Sequence, residues 1–376
     1  MKFSEIPGHE EAKARMRQMV EQGRLPHALL ISAPVGSGEV MLARAFAQFI
    51  HCTGRQPGDT DSCGRCPSCR QHESFNHVDL HFSFPVLKKG SGDATISDDY
   101  IREWRDLLGR DPWMDLRQWP ALLGKPDGQP LIYVHEADHL QRVMSLTARS
   151  SNINITLMWL PERLKEEAAN GLLKLVEEPE EGSMFIMVSN SPADVLPTIY
   201  SRCQRIELRR LPDSAVAGVL QAQGASESDA IAAARIADGN VIAARDALNQ
   251  MGGGADRQLD FFMQLMRLAY ARKVGELKQW SEKVAELKRD GICRFLDYCQ
   301  RLVRENFIMN LHVDPLNAMT PAEQQFSSRF CPFINERNVE RLIEELDSAM
   351  TDIRGNASAK IVLFDLAVKT IVLLKA

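Results

Sequence analysis

The stretch from residue 166 to residue 208 constrains the fold most strongly, because helix and strand signals follow one another in it in a fixed order. Residues 166–177 carry apolar side chains at helical spacing, and Pro179 then stops a helix. Residues 184–188 form an apolar run with the length of a buried parallel strand, and a second strand-like run follows at 205–208. This order predicts the second half of a nucleotide-binding α/β module, with helices packed on a parallel sheet.

A Ser-Arg-Cys triplet, Ser201-Arg202-Cys203, lies between the two strand-like runs. A guanidinium is always charged and can bind two phosphate oxygens at once. Together with the helix and strand before it, the triplet resembles the AAA+ domain of bacterial clamp-loader subunits. The resemblance implies that Arg202 is an arginine finger, supported by Ser201 and Cys203, that points at the γ-phosphate bound by a neighbouring subunit. Such a finger is typically worth about 10³ to 10⁵ in rate; the alternative is an ordinary surface arginine.

The length of 376 residues predicts two or three domains and a sizeable core. The sequence has no run of about 20 apolar residues and no signal-peptide core at its start, which predicts a soluble cytoplasmic protein without a membrane segment. The net charge of −5 argues against a large non-specific DNA footprint, although a local basic patch remains possible. The eight cysteines indicate metal binding or burial, because disulfides are rare in cytosolic proteins.

A strand, a glycine turn and a helix follow one another near the start of the chain, in the order that surrounds a phosphate-binding loop. Residues 27–32 have the pattern of a buried strand, residues 33–40 contain Gly36 and Gly38, and an apolar helix occupies 41–47. We therefore expect a loop that keeps the shape of a phosphate-binding loop.

This loop departs from the pattern G-x-x-x-x-G-K-[ST] at three positions. Ala33 replaces the first glycine, Glu39 replaces the lysine, and Val40 replaces the hydroxyl residue that would hold Mg²⁺. At about 4 Å and an effective dielectric constant of about 20, one charge pair is worth about 4 kcal/mol, so Glu39 removes an attraction and adds a repulsion of similar size. The sequence therefore predicts that the chain binds no ATP.

Four cysteines follow on a polar, turn-rich segment with the spacing C-x10-C-x2-C-x2-C: Cys52, Cys63, Cys66 and Cys69. Four thiolates bind Zn²⁺ tetrahedrally, and a closed four-cysteine set is structural because no position remains for catalytic water. The spacing predicts a structural zinc module at 52–69, and four buried or reactive cysteines are the alternative. The clamp-loader resemblance agrees, since that family inserts a four-cysteine zinc module after the same helix. His51, His72 and His77 are reserve ligands of low rank, because the cysteines already satisfy the metal.

Two segments compete for the Walker B strand, whose acidic residues hold magnesium and activate water in an active ATPase. Residues 131–138 resemble this motif, but the strand must lead almost directly into the next helix, and residues 153–158 do so. We therefore expect a strand at 153–158 and a helix over 136–146. Trp159 and Leu160 then occupy the two acidic positions, which leaves the Walker B site incomplete.

The predicted α/β domain covers 1–208 and includes an insertion at about 85–130, to which no chemistry is assigned and in which residues 97–99 could cap a helix. Three short helices are expected at 209–251. Residues 255–376 have helical patterns throughout, and their apolar last helix suits a subunit interface. The resemblance implies that 209–251 is a small helical lid and that 255–376 is an oligomerisation collar.

The four-cysteine insert, the defective nucleotide site and the intact triplet together resemble a clamp-loader subunit of DNA polymerase III that binds no ATP. The resemblance implies a protein without activity of its own, which supplies Arg202 in trans to an ATP-binding motor subunit while the sliding clamp is loaded for DNA replication. Its partners would be that motor subunit, a clamp-opening subunit and, through the complex, the clamp and primed DNA. Two alternatives stay open: an active AAA+ ATPase with a degenerate motif, and a zinc-dependent DNA-binding protein.

Overall fold

The computed structural model describes residues 1–90, 94–126, 128–145, 148, 150–151, 153–177, 182–251, 255–311 and 319–374. The chain divides into two compact units. The first unit comprises Met1–Gly224 and Ala237–Ala244, and the second comprises Ala225–Ile236 and Arg245–Ala376. The functional division into an α/β domain, a lid and a collar stays a prediction.

The first unit is built on a parallel sheet with five strands among the described residues: β1 (Ala28–Ser32), β2 (Leu80–Ser83), β3 (Asn154–Trp159), β4 (Ser183–Ser189) and β5 (Gln204–Glu207). The strand order is β2-β3-β4-β1-β5. β1 lies between β4 and β5, with Ile31 opposite both Val188 and Ile206. It is buried along its whole length, which explains why its sequence is apolar without alternation.

The helices of this part of the chain include α1 (Glu10–Glu21), α2 (Glu39–His51), α3 (Pro67–Glu73), α4 (Ile101–Arg110), α5 (Trp119–Leu122), α6 (Val134–Met144), α7 (Glu166–Glu177), α8 (Pro197–Tyr200) and α9 (Asp213–Ala222). The apolar faces of α6 and α7 share one buried cluster with Leu30 of β1 and Met187 of β4. Side chains alternate along a strand, so Leu29 and Ile31 face the other side of the sheet. α2 contacts β1, β3 and β4.

The predicted parallel α/β sheet is confirmed, and so is the choice between the two Walker B candidates. The strand β3 corresponds to the predicted strand at 153–158, whereas the competing segment leads into α6. That helix begins at Val134, two residues before its predicted start. Its predicted end at residue 146 and the predicted helix stop at Pro179 lie outside the described residues.

Residues 97–99, predicted to cap a helix, lie in the 3₁₀ turn Ser97–Tyr100 that precedes α4, and the N-cap of α4 itself is Tyr100, without a side-chain capping bond. The Ser97 hydroxyl accepts a hydrogen bond from the backbone N–H of Phe84 (2.9 Å) and donates one to the Phe84 carbonyl (3.0 Å). Both bonds go to Phe84, so the Ser97 hydroxyl is held against the chain that follows β2. The Asp99 carboxylate instead accepts from the N–H of Ile96 (2.9 Å), and a 3₁₀ turn precedes α4.

The insertion between β2 and β3 is fixed to the sheet by an aromatic cluster. The ring of Phe84 stacks on Trp104 with centroids 4.3 Å apart, and Trp119 meets Phe84 edge-on at 5.4 Å. Trp104 lies 5.3 Å from Trp159, the last residue of β3. The indole N–H of Trp119 also donates to the carbonyl of Pro85 (2.6 Å). These contacts hold α4 and α5 near the carboxyl ends of β2 and β3.

The helices that follow in the chain are α10 (Glu227–Ala237), α11 (Val241–Met251), α12 (Ala255–Tyr270), α13 (Val274–Ala285), α14 (Lys288–Asn310), α15 (Pro321–Phe330), α16 (Val339–Arg354) and α17 (Ala359–Leu373). The second unit has its own core, in which Phe262, Phe295 and Leu302 are fully buried. The helical character predicted for 255–376 is confirmed over the described residues. None of the described helices combines the length and the apolar character needed to cross a bilayer.

Candidate functional site

The turn between β1 and α2 has the backbone shape of a phosphate-binding loop. Gly36 and Gly38 adopt left-handed conformations, with φ of 76° and 84°. Gly38 is the N-cap of α2, so the first backbone N–H groups of that helix lie at the turn. β1 is an inner strand, and the turn leaves from its carboxyl end, where ligands bind in open α/β sheets. The scaffold of a nucleotide site is therefore present.

Side chains of the same unit contact this loop at both glycines. A Cβ atom built on Gly36 would lie 2.1 Å from Oδ1 of Asn240, and the N–H of Val241 donates to the Gly36 carbonyl (3.1 Å). A Cβ atom on Gly38 would lie 3.2 Å from the indole ring of Trp113. Trp113 belongs to the insertion and is 4% exposed. Both glycines of the loop are thus packed against side chains of the same unit.

Glu39 occupies the lysine position and is turned into the protein. It is 2% exposed, and its carboxylate accepts a hydrogen bond from Nδ2 of Asn190 (2.8 Å), which also donates to the Ala33 carbonyl (3.1 Å). Burial raises the pKa of Glu39 to about 7, against the opposing effect of the Asn190 hydrogen bond. The side chain joins the start of α2 to the end of β4. Val40 is also buried and offers no hydroxyl.

The two Walker B positions hold apolar residues, and the next acidic residue in the chain, Glu162, binds backbone N–H groups. Trp159 and Leu160 are 1% and 2% exposed. Glu162 follows them, and one of its oxygens accepts from the backbone N–H groups of Asn190 (2.9 Å) and Ser191 (3.1 Å). Burial raises the pKa of Glu162 as well. This carboxylate therefore closes the turn after β4.

The four predicted zinc ligands lie together, with their sulfur atoms within 4.8 Å of one another. Backbone N–H groups point at three of the sulfurs: Cys63 N–H donates to Cys52 (3.3 Å), Cys66 N–H to Cys63 (3.4 Å), and Cys69 N–H to Cys66 (3.4 Å). Burial raises the pKa of Cys52 and Cys69, and backbone hydrogen bonds lower that of Cys63. Burial also acts on Cys66, but hydrogen bonds from Thr53 and Cys69 outweigh it and bring its pKa to about 5. The convergence of four sulfur atoms, with donor N–H groups directed at three of them, fits a tetrahedral four-sulfur site.

A separate cluster brings His51, His72 and His77 within 4.8 Å of one another. Nδ1 of His51 lies 2.9 Å from Nε2 of His72, and Nε2 of His77 lies 3.0 Å from the Ser68 hydroxyl. The rings of His51 and His77 stack at 4.3 Å with an interplanar angle of 17°. A metal binds in the plane of an imidazole ring, so two stacked rings cannot both ligate one ion. Burial lowers the pKa of His51 to about 3, which keeps it neutral in this hydrogen-bonded network.

Arg202 lies at the rim of the first unit, between α8 and β5. Its side chain is 34% exposed; its guanidinium binds the carboxylate of Glu177 at the end of α7 and donates to the Thr198 carbonyl (2.8 Å). Ser201 is exposed, whereas Cys203 is buried and its thiol donates to the Ile199 carbonyl (3.3 Å). Cys203 therefore anchors the triplet in the core, while Arg202 next to it holds its charge at the surface.

The fold and this site define a class of protein: an α/β domain with a phosphate-loop scaffold that lacks the lysine, the hydroxyl and the Walker B acids. The chain belongs to the family described as "DNA polymerase III, delta subunit", whose model matches residues 8–212. The expected relationship to bacterial clamp-loader subunits is confirmed.

Curated relatives support the same family. The DNA polymerase III subunit delta' of Haemophilus influenzae is 28% identical over 288 residues, which are 76% of this chain and 74% of that protein. The subunit delta' of Yersinia pestis is 32% identical over 195 residues, and that of Escherichia coli K12 is 28% identical over 214 residues. These two matches cover 50% and 57% of this chain, and 44% and 52% of the relatives.

A solved structure, a DNA polymerase III gamma subunit-related protein from Thermotoga maritima, has a TM-score of 0.38 and 13% identity over 97% of this chain and 99% of that chain. This score is too low to support a detailed structural comparison.

Proposed function

We propose that the chain is a clamp-loader subunit of DNA polymerase III that binds no ATP and presents Arg202 to the ATP of a neighbouring motor subunit. Family membership and relatives named subunit delta' support the clamp-loader role. The phosphate loop, which has Glu39 and Val40 in place of the lysine and the hydroxyl residue, is the observation that carries the proposal. A subunit with a defective phosphate loop, but with a partly exposed arginine ahead of β5 at the opposite edge of the sheet from that loop, can act on the nucleotide of another subunit.

Three contacts oppose ATP binding. Asn240 and Trp113 pack against the two glycines of the loop, which restricts how far its backbone can adjust to a ligand. Glu39 cannot supply the positive charge that a lysine would place beside the phosphates. If Glu39 ionised next to a triphosphate, the repulsion would be about 4 kcal/mol at about 4 Å and an effective dielectric constant of about 20. That penalty alone corresponds to a loss of about three powers of ten in affinity, at 1.4 kcal/mol per tenfold change.

The ion pair of Arg202 with Glu177 is weak enough for the guanidinium to exchange the carboxylate for a phosphate. Both side chains are partly exposed, at 34% and 44%, and exposed pairs are worth about 0–1 kcal/mol. A triphosphate carries more negative charge and offers bidentate oxygens, so it can replace the carboxylate at little cost. Glu177 then serves to keep the guanidinium extended along the rim between α7 and α8.

The four cysteines would hold a structural zinc. The ion would supply a tetrahedral cross-link with no open position. The segment between Cys52 and Cys63 already binds the start of the chain, because the Asp61 carboxylate accepts from the N–H groups of Phe3 (3.0 Å) and Ser4 (2.9 Å). We infer that the metal stiffens this segment and, through it, the approach to α1.

The last helix offers a surface for other subunits. Ile361 and Val372 of α17 are 70% and 68% exposed, and Val368 is 37% exposed. Exposed aliphatic side chains on one helix suit burial against a partner. The collar role of 255–376, the lid role of 209–251 and contact with the clamp and primed DNA through the complex belong to this proposal.

The proposal is tested by titrating the full chain with Mg-ATP in a calorimeter and by assembling it with an ATP-binding motor subunit. We expect no binding heat from the chain alone and a motor ATPase that depends on Arg202. Micromolar binding of Mg-ATP to the chain would favour the alternative of an active ATPase.

A further inference from the structure

A groove of about 660 Å³ runs along the second unit between α12 and α15. The ring centroid of Phe262 lies 6.0 Å from that of Phe326, and farther along both segments Tyr270 meets Phe333 at 5.1 Å. The two helices therefore lie side by side and run in the same direction. The lining residues extend from 259 to 270 on one wall and from 322 to 333 on the other, which is about three helical turns or about 16 Å.

The lining of the groove has the composition of a protein-binding surface. Met263, Met266 and Phe326 are buried or half-buried in it, and the exposed side chains of Arg267 and Arg329 line it as well. Among the described residues that line the groove there is no lysine, aspartate or glutamate. Methionine, aromatic residues and arginine are enriched where proteins bind one another, whereas lysine and the acidic residues are depleted there.

A row of aromatic rings leads from the core of the second unit to the end of the groove. Phe326 stacks on Phe330 with centroids 5.0 Å apart, and Phe330 stacks on Phe333 at 5.9 Å. Phe330 is buried, whereas Phe333 and its edge-on neighbour Tyr270 are exposed. Exposed aromatic rings that continue an apolar groove mark an interaction site, and stacking holds these rings in place before a partner arrives.

We propose that this groove binds an amphipathic helix of a partner protein, about three turns long, with aliphatic or aromatic anchors on one face and carboxylates beside them. The walls are helices whose backbone groups are paired internally, so an extended peptide would find few main-chain partners there, whereas a helix satisfies its own. Methionine side chains adapt to the shape of the anchors. Arg267 and Arg329 would bind the carboxylates and so select an acidic helix over a basic one.

The inference goes beyond the proposed function, because it involves neither Arg202 nor the phosphate loop. The walls of the groove are α12 and α15, whereas the exposed aliphatic face with Ile361 and Val372 belongs to α17. A short helix that binds in the groove would therefore attach a further protein to this chain through a segment of its own.

The test uses the full chain and fluorescein-labelled peptides of about 12 residues, cross-linked on their outer face because helices this short are marginal in water. One set carries leucine or phenylalanine on the inner face with glutamates beside it, and a second set has lysine in place of every glutamate. Fluorescence anisotropy should show binding of the glutamate set. Each lysine counterpart should bind at least about tenfold more weakly, because like charges oppose each other at the rim.

Two variants assign the binding to the groove. Arg267→Gln/Arg329→Gln should weaken binding of a glutamate peptide by about 5- to 30-fold, as expected for two exposed ion pairs near the upper end of their range. Phe333→Ala should weaken it by about tenfold or more, because an aromatic anchor is lost. The matched control Arg294→Gln/Arg354→Gln removes two exposed arginines of the second unit that do not line the groove, and it should bind as the wild type does.

Failure of every glutamate peptide to bind at about 1 mM would overturn the proposal, and so would an equal loss of affinity in the groove variant and the control. Sedimentation velocity of the chain alone should show no dimer that depends on the groove; a dimer abolished by Phe333→Ala would assign the groove to a second copy and overturn the proposal. Arg267→Gln/Arg329→Gln changes only exposed side chains, so its thermal unfolding should match the wild type and the test holds even if Phe333→Ala unfolds.

Discussion

Replacing Arg202 by alanine should separate catalysis from stability. The side chain is partly exposed, and its ion pair with Glu177 is an exposed one, so the substitution should cost no more than about 1 kcal/mol of folding free energy. For a unit of this size that is a fall in Tm of about 2–4 °C. If Arg202 stabilises the transition state on a neighbour's triphosphate, the same change should lower the hydrolysis rate there by about 10³ to 10⁵.

The assay is single-turnover phosphate release from the motor subunit that faces Arg202, in a complex assembled with the sliding clamp and primed DNA. Size-exclusion chromatography should show the same assembly with wild-type and variant chains. Arg205→Ala is the matched control: it removes an exposed arginine that lies over the Tyr200 ring at 5.0 Å, three residues away, and should leave the rate unchanged.

A second variant, Glu177→Gln, tests the role of the ion pair. It frees the guanidinium while keeping the length of the side chain that accepts from it, so the rate should stay equal or rise. If phosphate release with Arg202→Ala stayed within about threefold of wild type in an assembled complex, Arg202 would not be a finger, because even a weak one supplies about 10³.

Three further predictions concern the closed loop, the metal and the pH dependence. Trp113→Ala should lower the free energy of unfolding by about 3–5 kcal/mol and still give no Mg-ATP binding by calorimetry, because Glu39 remains; Mg-ATP binding by this variant would show that Trp113 alone closes the loop. Native mass spectrometry should show one zinc per chain, lost in Cys66→Ser and kept in His72→Ala; two zinc ions would mean that the histidine cluster is a second site. Burial raises the pKa of Glu39 to about 7, so the folded state binds the extra proton and stability should fall as pH rises from about 4.5 to 7 and stay level above it. Glu39→Gln keeps an acceptor for Asn190 and should remove about 3 kcal/mol of this fall, measured by urea unfolding at pH 5 and pH 8; an unchanged pH dependence would mean that Glu39 is ionised in the folded chain.

The sheet could be predicted because its strands are marked locally. Residues 28–32 and 184–188 are apolar runs, which are typical of strands buried on both faces of a sheet. The order of strands and helices was sufficient to place β3 after the competing segment at 131–138. The role of Ser97, within the predicted cap at residues 97–99, could not be read in this way. Serine is a suitable residue type for a cap, but its hydroxyl bonds to the backbone of Phe84, which lies 13 residues earlier in the chain.

The sequence predicted which residues of a working nucleotide site are missing, but not which side chains pack against the loop. Glu39 and Val40 break a known pattern, so their positions were visible in the sequence. Trp113 and Asn240 close the same loop from segments more than 70 residues away, and neither carries a local signal that says where it will pack. A polar residue at the end of a buried strand, as at Asn190, is the one signal that could have pointed to the partner of Glu39.

The positions of the tryptophans allow the unfolding of the two units to be followed separately by fluorescence and circular dichroism. Four of the five tryptophans belong to the first unit, and Trp280 belongs to the second. In the first unit the ring centroid of Trp104 lies within 6 Å of those of Trp119 and Trp159. Intrinsic fluorescence during denaturation will therefore follow the α/β unit, while far-ultraviolet circular dichroism will weight the helix-rich second unit. If the two units melt independently, the two curves will have different midpoints, and no labelling will be required to see it.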